Sequence, residues 1–252
     1  MDGVLAGPGY TGAPFVLFGP SHLAALAVTV LLLVAMVRGF RGSSGKVKTC
    51  ARWTLALLLW GQEISFHAWR VITGTWSVQE MLPLHLCALG VWLGGLMLVT
   101  GSRALFSVLY FTSLAGAAVA LLTPDIGAFG FPHYRYWQFF ISHGLVVAAP
   151  MWMTFVEGMR PTRRDLVRTT VLVNVYAGFV FVVNSLVGSD YMFINGKPTT
   201  ASPLDLMPLW PWYLLIMEAL LLVVFVLLYL PWVGRDPTRG PRRRSGDIAL
   251  RR

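Results

Sequence analysis

The stretch LWPWYLLIMEALLLVVFVLLYLPW, residues 209–232, contains a single charged side chain, Glu218. A bilayer core about 30 Å thick is crossed by roughly 20 apolar residues in a helix. This stretch therefore predicts a transmembrane helix, and the same criterion finds six more. These are residues 19–38, 52–73, 81–100, 104–123, 137–157 and 168–188. The chain is predicted to be an all-α polytopic membrane protein, a bundle of seven transmembrane helices.

The composition also indicates a membrane protein. Hydrophobic residues make up 56% of the 252 residues, charged residues make up 12%, and the mean hydropathy is +0.65. A soluble domain of this length cannot bury so much apolar surface. We expect one seven-helix domain, residues 19–232, between an outer N-terminal segment, residues 1–18, and a basic cytoplasmic tail, residues 233–252.

Lysine and arginine are distributed unevenly among the loops that seven spans create. Of the 20 such residues, only Arg70, Arg135 and Lys197 fall on the side of the N-terminus. Cytoplasmic loops are enriched in positive charge, so we expect the N-terminus outside and the C-terminus cytoplasmic, in a multi-pass protein of the cell membrane. The basic tail is interpreted as a topology anchor that contacts anionic lipid. No motif indicates a nucleic-acid partner.

The ionisable side chains within the predicted spans lie mostly toward the outer side of the membrane. Such groups are costly in lipid and usually face a bundle interior or a water-filled cavity. The sequence therefore predicts a polar cavity that opens toward the outer half of the bilayer. The residues are His22, Glu63, His67, Arg70, His85, Cys87, Asp125, His143 and Glu218.

Glu63, His67 and Arg70 have spacings of four and three residues, which place them on one face of a helix. They can form a structural ion-pair ladder, or they can act as a proton relay or a clamp for a lipid head group. Together with Glu218 they would equally suit proton-coupled uptake of an anion. A transporter or small-ligand binding membrane protein is therefore the alternative function, although no clear internal repeat supports it.

The segment LPLHLC, residues 82–87, places His85 and Cys87 near the membrane interface, and Pro83 can open a helix there. A cysteine attacks as a thiolate and needs a nearby base. His85 lies on a different part of the helical surface, so the expected partner of Cys87 is His143 or His67. Alternatively, Cys87 is a small packing residue and His143 is a hydrogen-bonded structural histidine.

The last outer loop contains the most specific stretch of the chain, DYMFINGKPTTASPLD, residues 190–205. Tyr191 and Lys197 could belong to a lid or contact a lipid head group. Alternatively, the loop is an interfacial cap extended by the aromatic belt of residues 210–213.

Several blocks of residues resemble the YwaF-like family of integral membrane proteins, which has a multi-pass lysophospholipid acyltransferase as a distant animal relative. The resemblance covers roughly residues 60–215. The blocks are LPLHLC 82–87, TPD 123–125, FPH 131–133, FFISHG 139–144, and a series from Asn184 through DYMF 190–193, Lys197-Pro198, Ser202 and Asp205 to WPWY 210–213.

This resemblance implies lipid acyl transfer or acyl hydrolysis through an acylated cysteine assisted by histidine, with a phospholipid or lysophospholipid as partner. Cys87, His143 and His85 would then be the catalytic residues. In the animal motif the cysteine directly precedes the histidine that matches His85, whereas this chain has Leu84 there. His85 acting with another group or with water is therefore the other possibility. Candidate substrate-binding residues are Glu63, His67, Arg70, Asp125, Asn184, Tyr191, Lys197 and Glu218; of these, Arg70 or Asn184 would hold an oxyanion or a phosphate.

Missing residues exclude some other membrane proteins. A retinal protein needs a lysine in its last span, and the lysines are Lys46, Lys48 and Lys197. A rhomboid-type protease would need a Gly-x-Ser-Gly-like turn, which Ser142-His143-Gly144 does not supply. Membrane di-iron hydroxylases and desaturases need more histidines than the five present, clustered in pairs. A single-zinc site formed by His22, His67, His85 or His143 is left open, but no close spacing supports it. We predict no metal and no cofactor.

Overall fold

The computed structural model describes residues 3–198 and 203–234, and within these ranges the chain is helical and forms no strand. Seven of the helices found there have 15 or more residues, and α3 is a single turn. The helices are α1 Pro20–Phe40, α2 Gly45–Ile72, α3 Val78–Met81, α4 Leu86–Thr100, α5 Arg103–Leu122, α6 Tyr134–Phe155, α7 Arg163–Val187 and α8 Trp212–Tyr229.

Each apolar run of the sequence overlaps one long helix, but α4 begins five residues later than expected. Leu82 is extended, with φ −68° and ψ 145°, because a residue before proline is disfavoured in the helical region. Pro83 therefore follows the end of α3 instead of opening α4. His85, also extended, becomes the N-cap of α4, whose first residue is Leu86.

The seven long helices alternate in direction. For example, a Cβ built at Gly94 of α4 would lie 3.6 Å from Leu59 of α2, and one built at Gly101 would lie 3.3 Å from Arg52. These two helices are therefore antiparallel. We name the two ends of the bundle the Tyr191 end and the Arg103 end. The Tyr191 end holds the loops 73–85 and 123–133 and the described residues 188–198 and 203–211. The Arg103 end holds the loops 41–44, 101–102 and 156–162.

Helix α6 lies at the centre of the bundle and packs against α1, α2, α4 and α5, whereas α7 and α8 pack against the other side of α5. α1 and α6 are parallel, since Tyr136 OH donates to Ser21 O at 2.6 Å and a Cβ at Gly144 would lie 3.4 Å from Thr29. Because α6 is surrounded by these helices, polar side chains at its interface with α2 lie inside the bundle.

Four segments are long and apolar enough to cross a membrane: α1, α5, α7 and the stretch Trp212–Trp232. α4 is apolar but has only 15 residues, about 22 Å of helix at 1.5 Å per residue. α2 and α6 are long enough, but they carry charged and polar side chains. Among these are Glu63 and Arg70 on α2, and Arg135, Gln138 and His143 on α6.

The N-terminal segment is attached to the Tyr191 end through its backbone. Leu5 O accepts from Trp69 Nε1 at 3.1 Å, and Ala6 O accepts from His133 Nε2 at 3.0 Å. Val4 O accepts from Tyr134 N at 2.8 Å. Of the expected basic tail, residues 235–252 lie outside the described residues.

Helices α2 and α4 pack tightly at Gly95. A Cβ there would lie 2.4 Å from the Trp60 indole, which is held in place because its Nε1 donates to Trp92 O at 3.3 Å. We expect Gly95→Ala to lower the free energy of unfolding in detergent by about 1–3 kcal/mol through overpacking. Gly178→Ala on α7, where a Cβ meets nothing within 4 Å, is the control and should be neutral or stabilising. Equal stability of the two variants would contradict the expected clash.

Candidate functional site

A chain of polar side chains crosses the interface between α2 and α6. Gln138 donates from Nε2 to Gln62 Oε1 at 3.0 Å, and Gln62 donates to Glu63 Oε2 at 3.5 Å. Glu63 is 7% exposed, and its Oε1 lies 3.7 Å from His67 Nε2. Four side chains are thereby linked in a membrane-type bundle, where unpaired polar groups are costly.

Arg135, which was expected only as a charge in a loop on the side of the N-terminus, extends this chain from α6. Its guanidinium donates to Gln138 Oε1 and lies 4.6 Å from the ring centre of Phe66 and 5.3 Å from that of Phe139. It also interacts electrostatically with Glu63, Asp125 and Arg70. The sequence feature that could have identified Arg135 is its position in the first turn of α6, eight residues before His143. Successive helical turns place Arg135 and His143 on one face of the helix.

The three residues expected on one face of α2 do not form a single ladder. Glu63 and His67 are paired, whereas Arg70 forms its ion pair with Glu80 of α3. His67 Nδ1 accepts from Trp76 Nε1 at 3.0 Å, so Nε2 carries the proton of the neutral ring and faces Glu63. The lone pair of His67 Nδ1 is thus used, while Nε2 lies 3.7 Å from the Glu63 carboxylate.

Cys87 lies in the first turn of α4, level with His143 of α6. These helices are parallel: a Cβ at Gly90 would lie 3.4 Å from Val146, and one at Gly94 would lie 3.7 Å from Ala149. One turn earlier, the same register pairs Cys87 with residues 142–143. The Cys87 Sγ itself rests 3.3 Å from the position of a Cβ at Gly116 on α5. In the described ranges no hydrogen bond joins it to a histidine.

His143 has one nitrogen engaged and one available. Its Nδ1 bonds Phe139 O at 2.9 Å, and its ring lies 4.1 Å from the Phe139 ring. A carbonyl oxygen only accepts, so Nδ1 must carry the proton. The lone pair of the neutral imidazole is then on Nε2, for which the described part of the chain provides no hydrogen-bond partner. This tautomer can accept a proton.

His85 contacts the last Tyr191-end loop instead of Cys87. Met192 N donates to His85 Nδ1 at 3.2 Å, and the rings of Tyr191 and Phe193 lie 5.3 and 5.5 Å away. Asp125, exposed beyond α5, interacts electrostatically with His85. Tyr191 is fully buried, and its OH accepts from Leu82 N at 2.8 Å and donates to Val78 O at 2.5 Å. This loop therefore closes over the start of α4.

The amide of Asn184 organises the same loop. It is 1% exposed; its Nδ2 donates to Tyr191 O and Asn195 Oδ1, and its Oδ1 accepts from Ser189 Oγ and Tyr191 N, all at 2.9 Å. Every hydrogen-bonding position of this amide is used. Asn184 therefore positions the loop and has no donor left for a substrate oxyanion.

The charged side chains of Asp190 and Lys197 make further hydrogen bonds that stabilise this loop. Burial raises the pKa of Asp190. Its carboxylate accepts hydrogen bonds from Asn195 N and Gly196 N at 3.0 and 3.1 Å, and these bonds partly offset the rise in pKa. Lys197 donates to Met207 O at 2.8 Å, and its Nζ lies 5.9 Å from the centre of the Tyr213 ring. Lys197 thereby connects the loop to the first turn of α8.

Glu218 lies apart from the other predicted site residues. Its Oε1 accepts from Asn174 Nδ2 at 3.0 Å, which joins α8 to α7. His22, a residue considered for metal binding, accepts from Phe18 N through Nδ1 and donates through Nε2 to Leu121 O at 2.8 Å. Within the described ranges, no three His, Cys, Asp or Glu side chains are placed to hold a metal ion.

Sequence comparisons place the chain among known proteins. It is 29% identical over 227 residues to an uncharacterized protein of Treponema pallidum (strain Nichols), an alignment that covers 86% of this chain and 90% of the relative. No solved structure matches. The model of the TMEM164 family matches residues 17–229, which include all seven long helices. This match is consistent with the resemblance to YwaF-like proteins, and the chain belongs to the TMEM164 family.

Proposed function

We propose that this membrane protein transfers or hydrolyses a lipid acyl chain, with Cys87 as nucleophile and His143 as general base. The observation that supports this proposal most directly is the available Nε2 of His143 on the parallel neighbour of α4, at the level of Cys87. His67, the other candidate base, already uses the lone pair of its Nδ1 to accept from Trp76. His85 contacts the loop above.

The reaction begins when His143 Nε2 accepts the proton of the Cys87 thiol. The thiolate attacks the carbonyl carbon of a phospholipid ester, and the tetrahedral intermediate expels the lysolipid alkoxide, which receives the proton from His143. A thioester at Cys87 remains. A second alcohol completes acyl transfer by attacking this thioester, and water completes hydrolysis. In either case His143 accepts the proton of the attacking hydroxyl, the C–S bond breaks, and His143 returns the proton to the departing Cys87 thiolate.

The first turn of α4 supplies a means of stabilising the oxyanion. The initial N–H groups of a helix have no partner within it, and the first backbone bond to the His85 carbonyl comes from Leu89. The N–H groups of residues 86–88 come before Leu89, so they have no partner within α4, and they lie in the same turn as the Cys87 side chain. Backbone donors of this kind stabilise a developing oxyanion. They replace Asn184, whose amide is fully used, and Arg70, which is paired with Glu80.

The topology inferred from charge belongs to the same proposal. All seven long helices would cross the cell membrane, with the N-terminus and the Tyr191 end outside and the Arg103 end in the cytoplasm. α4 would reach across together with the segment before it. Phospholipid in the outer leaflet would then meet Cys87 near the depth of its ester groups.

The proposal is tested with a phospholipid that carries a clickable acyl chain. Detergent-purified protein is incubated with it, and intact-protein mass spectrometry detects an acyl adduct that hydroxylamine removes. We expect the adduct on wild type and its loss in Cys87→Ala. Cys50→Ala is the matched control, because Cys50 is also a free cysteine but lies exposed near the Arg103 end, and it should be labelled like wild type.

Two other outcomes would contradict either the assignment of Cys87 as nucleophile or the proposed reaction. Labelling that persists in Cys87→Ala would place the nucleophile elsewhere. No labelling in the presence of abundant lipid would contradict acyl transfer and favour the second candidate, a transporter or ligand-binding protein. The observation that favours this candidate is the polar chain from Arg135 to His67 through the bundle, because such chains can conduct protons.

A further inference from the structure

Asn174 of α7 and Glu218 of α8 form a polar pair on the outer surface of the bundle. Helices α7 and α8 pack against one side of α5 and against each other, so much of their surface faces outward. Asn174 is exposed and Glu218 is half-buried. Asn174 Nδ2 donates to Glu218 Oε1 at 3.0 Å. Neither residue takes part in the reaction proposed above.

This pair lies near the centre of the membrane that α7 would cross. Both α7 and the stretch Trp212–Trp232 are long and apolar enough to span a bilayer. At 1.5 Å per residue, Asn174 lies about 17 Å from Arg163 and about 20 Å from Val187, the first and last residues of α7. The apolar core of a bilayer is about 30 Å thick. The hydrogen bond brings Glu218 to the same depth as Asn174.

A polar pair at this position is costly because lipid chains offer it no hydrogen bonds. Amide and carboxyl groups at this depth normally face the interior of a bundle or bond a neighbouring helix. Asn174 donates a second hydrogen bond to Thr170 O at 3.0 Å. Among the residues that the structure describes, however, Asn174 Oδ1 and Glu218 Oε2 have no hydrogen-bond partner. The pair is therefore both exposed and incompletely hydrogen-bonded.

The surface beside Asn174 has room for another helix. Gly178 is exposed one turn further along α7, on the same side of the helix, and a Cβ built there meets nothing within 4 Å. A glycine at such a position lets the backbone of a second helix come close. Exposed apolar side chains lie three or four residues from the polar pair. These are Val171, Leu215 and Leu222. Together with Gly178 and the polar pair they form the α7–α8 face.

The α7–α8 face is complementary to itself. It presents an amide donor and a carboxyl acceptor at one depth, and two copies inserted with the same orientation present both groups at that depth. Across a twofold axis along the membrane normal, the donor of each copy meets the acceptor of the other. The Nδ2 hydrogen of Asn174 that bonds Thr170 O is available for this contact, because that carbonyl also accepts the helical N–H of Asn174. An unrelated helix would need a matching polar group at this depth, whereas a second copy always has one.

We propose that a second copy of this chain packs on the α7–α8 face, and that Asn174 of each copy hydrogen-bonds Glu218 of the other. The product is a parallel twofold dimer in the membrane. Helices α7 and α8 lie on the opposite side of α5 from α6, so Cys87 and His143 are not part of the interface. The dimer therefore does not depend on acyl transfer, and Cys87→Ala should associate like wild type.

Förster transfer between copies with donor and acceptor dyes at the C-terminus measures the association in lipid vesicles. We expect transfer in the wild type that falls as the protein is diluted with lipid, as a monomer–dimer equilibrium requires. Asn174→Leu should weaken the association roughly five- to thirtyfold, the range given by polar contacts between membrane helices. Gly178→Ile should weaken it at least as much, because the added side chain holds the two helices apart.

A mixture of two weakened variants distinguishes a contact between copies from the hydrogen bond within one copy. Asn174→Leu keeps Glu218, and Glu218→Leu keeps Asn174. A mixed dimer therefore retains one bond between copies that neither variant can form with itself. Association of the mixture should exceed that of either variant alone about threefold or more. Misfolded proteins would not gain affinity for each other on mixing.

Thr54→Leu and Gly61→Ile on α2 are the matched controls, because both residues are exposed away from the α7–α8 face. Thr54 Oγ1 donates to Cys50 O of its own helix, and a Cβ at Gly61 meets nothing within 4 Å. Both variants should associate like wild type. A monomeric wild type, equal association of Asn174→Leu and Thr54→Leu, or no gain on mixing would overturn the proposal. The face would then be covered by lipid or by another membrane protein.

Discussion

His143→Asn should acylate at a rate reduced about 10²- to 10⁴-fold, the usual contribution of a positioned general base. The amide of asparagine can still donate to Phe139 O as Nδ1 of His143 does, so the local helix should persist while the base is removed. Single-turnover labelling with the clickable phospholipid measures the rate. The wild-type rate should also fall at low pH as the imidazole becomes protonated, and the residual rate of the variant should lack this imidazole dependence.

His67→Asn is the matched control for this prediction, because His67 is a half-buried histidine whose Nδ1 already accepts from Trp76 and whose Nε2 faces Glu63. Its acylation rate should stay within a few-fold of wild type. If His143→Asn were labelled at the wild-type rate and His67→Asn were not, the base would be His67, and the register between α4 and α6 would have no catalytic meaning.

Arg135→Leu should lower the free energy of unfolding by about 3 kcal/mol, the lower end of the cost of removing one partner from buried charges. The leucine leaves Gln138 Oε1 without its donor and leaves the buried Glu63 without its nearest cation on α6. Denaturant unfolding in detergent micelles measures the change. Arg168→Leu, which replaces an exposed arginine on α7, should change stability by less than about 0.5 kcal/mol.

A second substitution separates the loss of the interaction between Glu63 and Arg135 from the loss of packing by the Arg135 side chain. Glu63→Gln introduced into Arg135→Leu removes the stranded carboxylate, so the double variant should be more stable than Arg135→Leu alone. Strictly additive destabilisation by the two changes would mean that Glu63 and Arg135 do not interact energetically. The role of Arg135 would then be limited to its contacts with the rings of Phe66 and Phe139.

The positions of the helices were predictable because each depends on a local property. An apolar run of sufficient length predicts a helix wherever it lies in the chain, and all seven runs overlap long helices. The shift at α4 arose from the competing local effect of Pro83 on Leu82. The sequence also placed Cys87, His85 and the Tyr191 loop close to one end of the bundle, because successive spans alternate in direction.

The partners of the polar residues were less accessible to prediction. Spacing along α2 correctly brought Glu63 to His67, yet Arg70 turned to Glu80 on α3. Arg135 and Gln138 escaped notice because neither forms a recognisable motif. His143 and Cys87 were expected to lie close together, and the structure brings them to one level of adjacent helices without a hydrogen bond between them.

Hydropathy, charge and length along the chain therefore determined that this is a membrane protein built of helices, and where the helices lie. Only the tertiary structure decided that Arg135 joins the Glu63 network, that Asn184 is saturated by its own loop, and that Nε2 of His143 remains available. The physical reason is that burial in lipid depends on the summed hydropathy of a segment, whereas a polar contact depends on the rotation and register of two helices. Many rotations and registers bury the same apolar surface, and the specific packing contacts select one of them.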